Sequence, residues 1–252
     1  MADNRILWAG RTLHGVDECG TWRTTRDLFE GWYDSPEIKG DNVPRVDSDG
    51  DLDLPIYNEA RLVTVGGTLR SANRADLLSA RNKLAGRMAG RLQVEDTQGI
   101  LWAEAKRNSK LRFVLVNDTL ANWQLRLKCV DPRKFGETRT WSASVGAPAS
   151  GIFHRGNYDA TARFVVAGSM PGGYKLTIKG LIFNVTAPLV TGHPHSIDYG
   201  TGRLSIDGAI VHGGLGWGFT PGITPGVPTA LAIEPNTTGT GTATLTLLDT
   251  YI

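Results

Sequence analysis

Four aspartates stand at alternate positions in Asp47-Ser48-Asp49-Gly50-Asp51-Leu52-Asp53. Alternating carboxylates are the hard oxygen ligands that Ca²⁺ prefers. A calcium loop counted from Asp47 nevertheless fails. Its sixth position needs Gly and is Leu52, and its twelfth needs a bidentate Glu and is Asn58. The stretch is therefore read as an exposed acidic turn. His193-Pro194-His195 brings two imidazoles together, but the intervening Pro and the lack of a neighbouring Cys or carboxylate favour a surface turn over a metal pair. His14, His154 and His212 are isolated along the chain.

Catalytic signatures are equally sparse. The sequence contains no Gly-x-Ser-x-Gly elbow, no Walker loop and no His-Glu-x-x-His motif. Gly66-Gly67 lacks the third glycine of a dinucleotide fingerprint and lies inside a strand-like run, which favours a bulge. A glycosidase pair of carboxylates is a spatial arrangement, and nothing in the spacing marks one. No enzyme, metal or cofactor is expected. Among the seven tryptophans, Trp123 falls on a patterned strand, whereas Trp22, Trp32 and Trp217 lie in Gly-rich or polar surroundings. For those three, core packing, a subunit interface and stacking on sugar are weighed, with core packing favoured.

The elements that carry these residues are mostly strands. One amphipathic helix is predicted over residues 73–88. Leu77, Leu78, Leu84, Ala85 and Met88 recur at helical spacing, Asn73 serves as N-cap with Asp76 three residues on, and Gly90 marks the stop. Elsewhere the period is two. Trp123, Leu125, Leu127 and Cys129 alternate with Gln124, Arg126 and Lys128. Residues 61–69 and 111–116 read as strands, and residues 91–107 as a hairpin turning at Thr97-Gln98-Gly99. After Asp131-Pro132, the small, punctuated segment 142–151 reads as a linker or long turn between domains. Beyond it, Phe164 and Val166, Leu176 and Ile178, Ile197 and Tyr199, Leu204 and Ile206, and Leu245 and Leu247 define short alternating strands, as in a sandwich or jelly roll.

Composition agrees. The 252 residues include 31 Gly and 12 Pro, the turn-formers that many short strands require. The formal net charge is +2, which gives no whole-surface case for binding nucleic acid or a membrane. No run approaches a membrane span, and residues 1–15 lack the apolar stretch of a signal peptide. Cys19 and Cys129 are read as buried thiols rather than a disulfide framework. The expected organisation is two β-rich domains, residues 1–140 and 141–252.

The order of several motifs resembles the distal tail protein (Dit) family of long-tailed bacteriophages. Gly31-Trp32-Tyr33-Asp34-Ser35-Pro36 is similar to that family's Gly-aromatic stretch before a long hairpin. Arg61-Leu62-Val63-Thr64-Val65-Gly66-Gly67 resembles the strand leading to its helix, and Cys129-Val130-Asp131-Pro132-Arg133-Lys134-Phe135 the close of its first domain. Later, Ile197-Asp198-Tyr199 through Asp207-Gly208, and Trp217-Gly218-Phe219-Thr220-Pro221-Gly222, are similar to its hairpin and its Trp before a Pro-Gly turn.

The resemblance implies a mainly β protein. Its N-terminal domain would be a β-sandwich or barrel with one helix, forming a hexameric ring that continues the tail tube. Its C-terminal domain would be a galectin-like or jelly-roll β-sandwich projecting outward. The implied partners are further copies of the chain, the tail-tube protein and the tail-tip protein, with DNA passing through transiently, no membrane insertion, and residence in the virion tail. In such a ring Asp47, Asp49, Asp51 and Asp53 are expected to face the channel. The alternatives are a carbohydrate-binding module that contacts the host cell wall through Trp22, Trp32 or Trp217, and a tail-tube protein.

Overall fold

The computed structural model describes residues 5–40, 43–52, 54–97, 99–215 and 222–252. It separates into two compact units, the first ending at Lys134 and the second spanning Phe135–Tyr251. The protein is mainly β: among the described residues there are 20 strands and one helix. Among the described residues no helix is long and apolar enough to cross a membrane.

The first unit is a curled antiparallel sheet. Its elements are β1 (Arg5–Trp8), β2 (Arg11–Asp17), β3 (Gly20–Glu30), β4 (Ile38–Lys39), β5 (Tyr57–Asn58), β6 (Arg61–Arg70), α1 (Arg74–Ala85), β7 (Ala89–Asp96), β8 (Gly99–Arg107), β9 (Arg112–Leu115) and β10 (Leu120–Cys129). The strands run in the order β8-β7-β1-β2-β3-β6-β10-β9, and β10 returns to β8 through Leu127↔Arg107 and Lys128↔Lys106. The sheet thus closes on itself like a small barrel. Strand β10 alternates as its sequence predicts, with Ala121, Trp123, Leu125, Leu127 and Cys129 all buried. Both cysteines are buried free thiols. The hairpin of β7 and β8 forms in full register from Ala89↔Lys106 to Asp96↔Gly99.

The helix begins where expected, with the Asn73 side chain accepting from the Asp76 amide at 3.0 Å. It ends earlier than expected, at Gly86 rather than Gly90. Its buried face is therefore Leu77, Ala80 and Leu84, while Met88 lies past the end and is 63% exposed. The glycine-bulge expectation is met in a particular way. Thr24 pairs with Gly67 and Phe29 with Val65, so four residues of β3 (25–28) stand opposite Gly66 alone. A Cβ on Gly67 would lie 1.9 Å from the Arg23 carbonyl oxygen, which is why β3 and β6 approach only over a glycine.

The second unit is a two-sheet sandwich. It contains β11 (Lys134–Ser144), β12 (Ala149–Ile152), β13 (Arg163–Ser169), β14 (Tyr174–Ile178), β15 (Leu181–Val185), β16 (His195–Asp198), β17 (Arg203–Ile206), β18 (Ala209–Val211), β19 (Thr229–Pro235) and β20 (Thr240–Tyr251). One sheet runs β18-β17-β16-β13-β20-β11 and the other β12-β19-β14-β15. Their inner faces supply one core, built on Phe164, Val166, Tyr174, Leu176, Tyr199 and Leu245 among others. Segment 142–151 is not a linker. Ala143 is a fully buried member of this core, and the hydroxyls of Ser142 and Ser144 meet those of Thr244 and Thr242 at 3.2 and 2.9 Å. The small residues mark a close-packed strand and its turn rather than free chain.

Candidate functional site

The most elaborate polar construction in the first unit surrounds Arg61, the first residue of β6, which is 1% exposed. Its Nε donates to the Pro132 carbonyl oxygen at 2.9 Å. Its Nη1 lies 2.8, 3.3 and 2.5 Å from the carbonyl oxygens of Gly31, Trp32 and Asp34 and shares its two hydrogens among them. Lys134, also buried, donates from Nζ to the Trp32 carbonyl at 3.0 Å, with its ammonium 5.7 Å from the centre of the Trp32 ring. Burial lowers the Arg61 pKa. Burial, with repulsion from Arg61 second, brings Lys134 down to about 8. The turn at Gly31 fits this use. Its φ of +80° suits glycine, a Cβ there would lie 1.8 Å from the Leu62 carbonyl oxygen, and its amide donates to the Asp34 carboxylate at 2.8 Å. Tyr33 donates to Asp96 at 3.1 Å, and burial, with the Asp96 charge second, pushes its hydroxyl up to about 12.

The knot clamps both feet of an arm, residues 34–60. The arm is a hairpin bonded to itself. Glu59 donates its amide to the Glu37 carbonyl, β4 pairs with β5, Leu52 donates to Val43, and Arg45 donates to Gly50. The acidic turn is its tip. Asp47, Asp49 and Asp51 are all exposed there, while Asp53 lies outside the described residues. Among the described residues no group of His, Cys, Asp and Glu is arranged to hold a metal. The arm also exposes apolar side chains, including Ile38, Val46 (96% exposed), Leu52, Ile56 and Tyr57.

A second feature lies beside the β3 bulge. Thr25, Leu28, Gly67, Thr68, Arg112, Val114, Asn122, Trp123 and Gln124 line an open cleft of ≈ 370 Å³. The cleft floor is apolar, and Arg112 stands exposed at its rim.

Of the tryptophans weighed for sugar stacking, Trp22 and Trp32 are 3% and 1% exposed. Stacking needs an open ring face, and burial leaves neither with one. Trp22 instead meets Trp123 edge to face at 5.3 Å. Trp217 lies outside the described residues. The histidine turn divides in the second unit. His193 is exposed and 2.5 Å from Asp207, but His195 is fully buried on β16, 3.2 Å from the Tyr174 hydroxyl. His195 is therefore a core residue rather than part of a surface turn, because its position faces the sheet interior. In the sequence Arg61 stands only as the first residue of a strand-like run, with nothing in that run to mark its side chain as a clamp. The one signal for its role was the position of Gly31 ahead of a buried aromatic.

At the level of fold these features define a class: a curled β unit with one helix, followed by a two-sheet β sandwich. A solved protein with this arrangement is the Dit protein of phage SPP1, described as a paradigm of the hub adsorption apparatus in phages infecting Gram-positive bacteria. The similarity covers 99% of each chain with a TM-score of 0.71 at 13% sequence identity, so the chain has the Dit-type fold. Chains of the phage P2 baseplate in its activated conformation also align, with Ca at a TM-score of 0.47 and 4% identity, and with Sr at 0.45 and 6%. Each alignment covers 96% of this chain and 97% of the other. No family model and no curated protein matches the sequence.

Proposed function

We propose that the protein is a structural, non-enzymatic subunit of a bacteriophage tail, a distal tail protein that assembles into a ring, most simply a hexamer, between the tail tube and the tip. The observation that carries this reading is the fold shared with the SPP1 Dit protein over the full length of both chains. The interaction surfaces of the first unit support it. An anchored arm that exposes apolar side chains suits a protein that works against other chains. In this role the partners are other copies, the tube protein above, the tip protein below, and DNA in transit. Head-to-tail contacts close into a ring when the rotation between neighbours divides a full turn.

The acidic arm tip has two destinations in such a ring. Facing the channel, its carboxylates would keep passing DNA from sticking. Facing a neighbour, its apolar side chains would also be covered. Exposed Val46 and Ile56 favour the second, since a water-filled channel leaves them bare. No observation favours the sugar-binding module, whose candidate rings Trp22 and Trp32 are in the core.

Native mass measurement with particle images of the purified protein tests the ring. A closed ring of about six subunits with a central hole is expected. A strict monomer at high concentration, and still a monomer when mixed with the tube protein, overturns it.

A further inference from the structure

We propose that Cys19 is a site of reversible oxidation by hydrogen peroxide, converted to a sulfenic acid whose oxygen occupies a small cavity against helix α1. The chemistry needs one copy of the chain and is independent of ring assembly.

The thiol stands in the turn between β2 and β3, where the Cys19 amide donates to the Asp17 carboxylate at 2.9 Å. It is buried, yet it borders a cavity of ≈ 10 Å³ lined also by Arg11, Asp17, Trp22, Ala80, Lys83 and Leu84. That is room for about one water-sized species. A peroxide is larger than water by one oxygen and can enter past Lys83, whose side chain is 35% exposed. Conventional thiol reagents are too large to follow.

The charges around the sulfur suit the reaction. The Lys83 ammonium lies 3.5 Å from Cys19 Sγ. Glu18 holds it there, accepting from Lys83 Nζ at 2.9 Å and from Arg11 Nη1 at 3.2 Å. Cations beside an accessible sulfur are the setting in which cysteines attack peroxides. The hydrogen bond to Glu18 raises the Lys83 pKa, so Lys83 carries a proton to give. Cys129 is the internal contrast: burial pushes its thiol up to about 11, which keeps it protonated and inert.

Two donors point to an oxygen as the occupant of the cavity. Trp22 Nε1 and Arg11 Nε are buried, and neither finds a hydrogen-bond partner among the described residues. Trp22 is 3% exposed, so solvent does not reach its N–H. A thiol is a weak acceptor and leaves such donors unmet. An oxygen bonded to the same sulfur accepts from them.

The step balances with hydrogen peroxide as the oxidant. The thiol first gives its proton to solvent. The thiolate sulfur then attacks one peroxide oxygen, the S–O bond forms and the O–O bond breaks, and sulfur passes two electrons to the peroxide. The departing hydroxide takes a proton from Lys83 and leaves as water. The transferred hydroxyl keeps its own proton, and Lys83 is reprotonated from solvent. With the cavity filled, no second peroxide reaches the sulfur, so the product stops short of the irreversible sulfinic acid.

Treating the purified protein with hydrogen peroxide tests the assignment. Trapping with dimedone in denaturant, followed by peptide mapping, is expected to find the sulfenic acid at Cys19 and none at Cys129. Dithiothreitol is expected to return Cys19 to the thiol, whereas a sulfoxide formed at exposed Met88 remains. The oxidised protein is expected to unfold at a higher temperature than the reduced one, because Trp22 and Arg11 gain an acceptor. In Lys83→Met the rate of Cys19 oxidation is expected to fall about a hundredfold, with Lys83→Arg between that variant and wild type. A Cys19 that stays reduced while Met88 is oxidised overturns the proposal, as does an unchanged rate in Lys83→Met. Loss of two hydrogens through a Cys19–Lys83 bond, in place of a gained oxygen, overturns the sulfenic end point.

Discussion

The Lys134 ammonium and the Trp32 carbonyl oxygen meet at 3.0 Å although 102 residues of chain separate them. Arg61 reaches the same carbonyl and adds those of Gly31, Asp34 and Pro132. One buried centre thus joins the arm's first foot, its second foot and the exit from the first unit. Three stretches that resembled a tail-protein family separately in sequence are here one structure.

Arg61→Met is expected to destabilise the protein by about 3 kcal/mol or more, because the carbonyls of Gly31, Asp34 and Pro132 lose the Arg61 donor while that of Trp32 keeps only Lys134. Arg61→Lys is expected to recover only part, since a point ammonium does not span the acceptors that a guanidinium does. Urea titration of the two variants beside wild type measures this. Equal stability of Arg61→Met and wild type would remove the clamp from the account.

Two glycines are expected to respond in opposite directions. Gly67→Ala forces a methyl against the Arg23 carbonyl oxygen and is expected to cost about 2 kcal/mol or more through a broken β3–β6 ladder. Gly86→Ala sits at φ −71° with its nearest outside atom at 3.5 Å, and is expected to stabilise by roughly 0.4–1 kcal/mol. Thermal midpoints moving the same way for both would contradict this.

His195 makes the second unit sensitive to acid. Burial, its largest influence, lowers its pKa below 6.5, so the folded state holds it neutral while the unfolded chain takes up the proton first. Its contribution to stability is complete above about pH 6.5 and is lost as pH falls from there through the lower folded value. Comparing wild type with His195→Gln at pH 7.5 and 5 isolates the effect. The variant is expected to lose less stability on acidification, and an equal loss in both would assign it to carboxylates instead.

Thiol labelling probes the core of the first unit. Cys19 and Cys129 are buried, and burial pushes the Cys129 thiol up to about 11. Neither is expected to react appreciably with a thiol reagent at pH 8 until denaturant is added. Rapid native labelling of Cys129 would show that β10 opens.

Much of this was legible because period-two patterning reports directly on which face is buried. Strand β10 and the hairpins of the second unit follow their sequence for that reason. The helix end was misplaced because Gly86 and Gly90 are both plausible stops, and only packing shows that Met88 has nothing to cover. Segment 142–151 misled through composition. Ser142-Ala143-Ser144 alternates like a strand, but its buried residue is only a methyl, too small to register as apolar periodicity. The Arg61 centre was invisible since its acceptors are backbone carbonyls, which every residue possesses.

The position of Lys134 has a mechanical consequence. It ends the continuous run of the first unit, so tension carried along the chain from Phe135 would enter at Pro132 and Lys134. There Arg61 grips the Pro132 carbonyl and Lys134 grips Trp32 before any pull reaches the ten paired residues of β10 and β6. The centre acts as a strain relief, in the way a cable is clamped where it leaves its housing. The β10–β6 ladder would thereby be shielded from forces that arrive along the chain at Lys134.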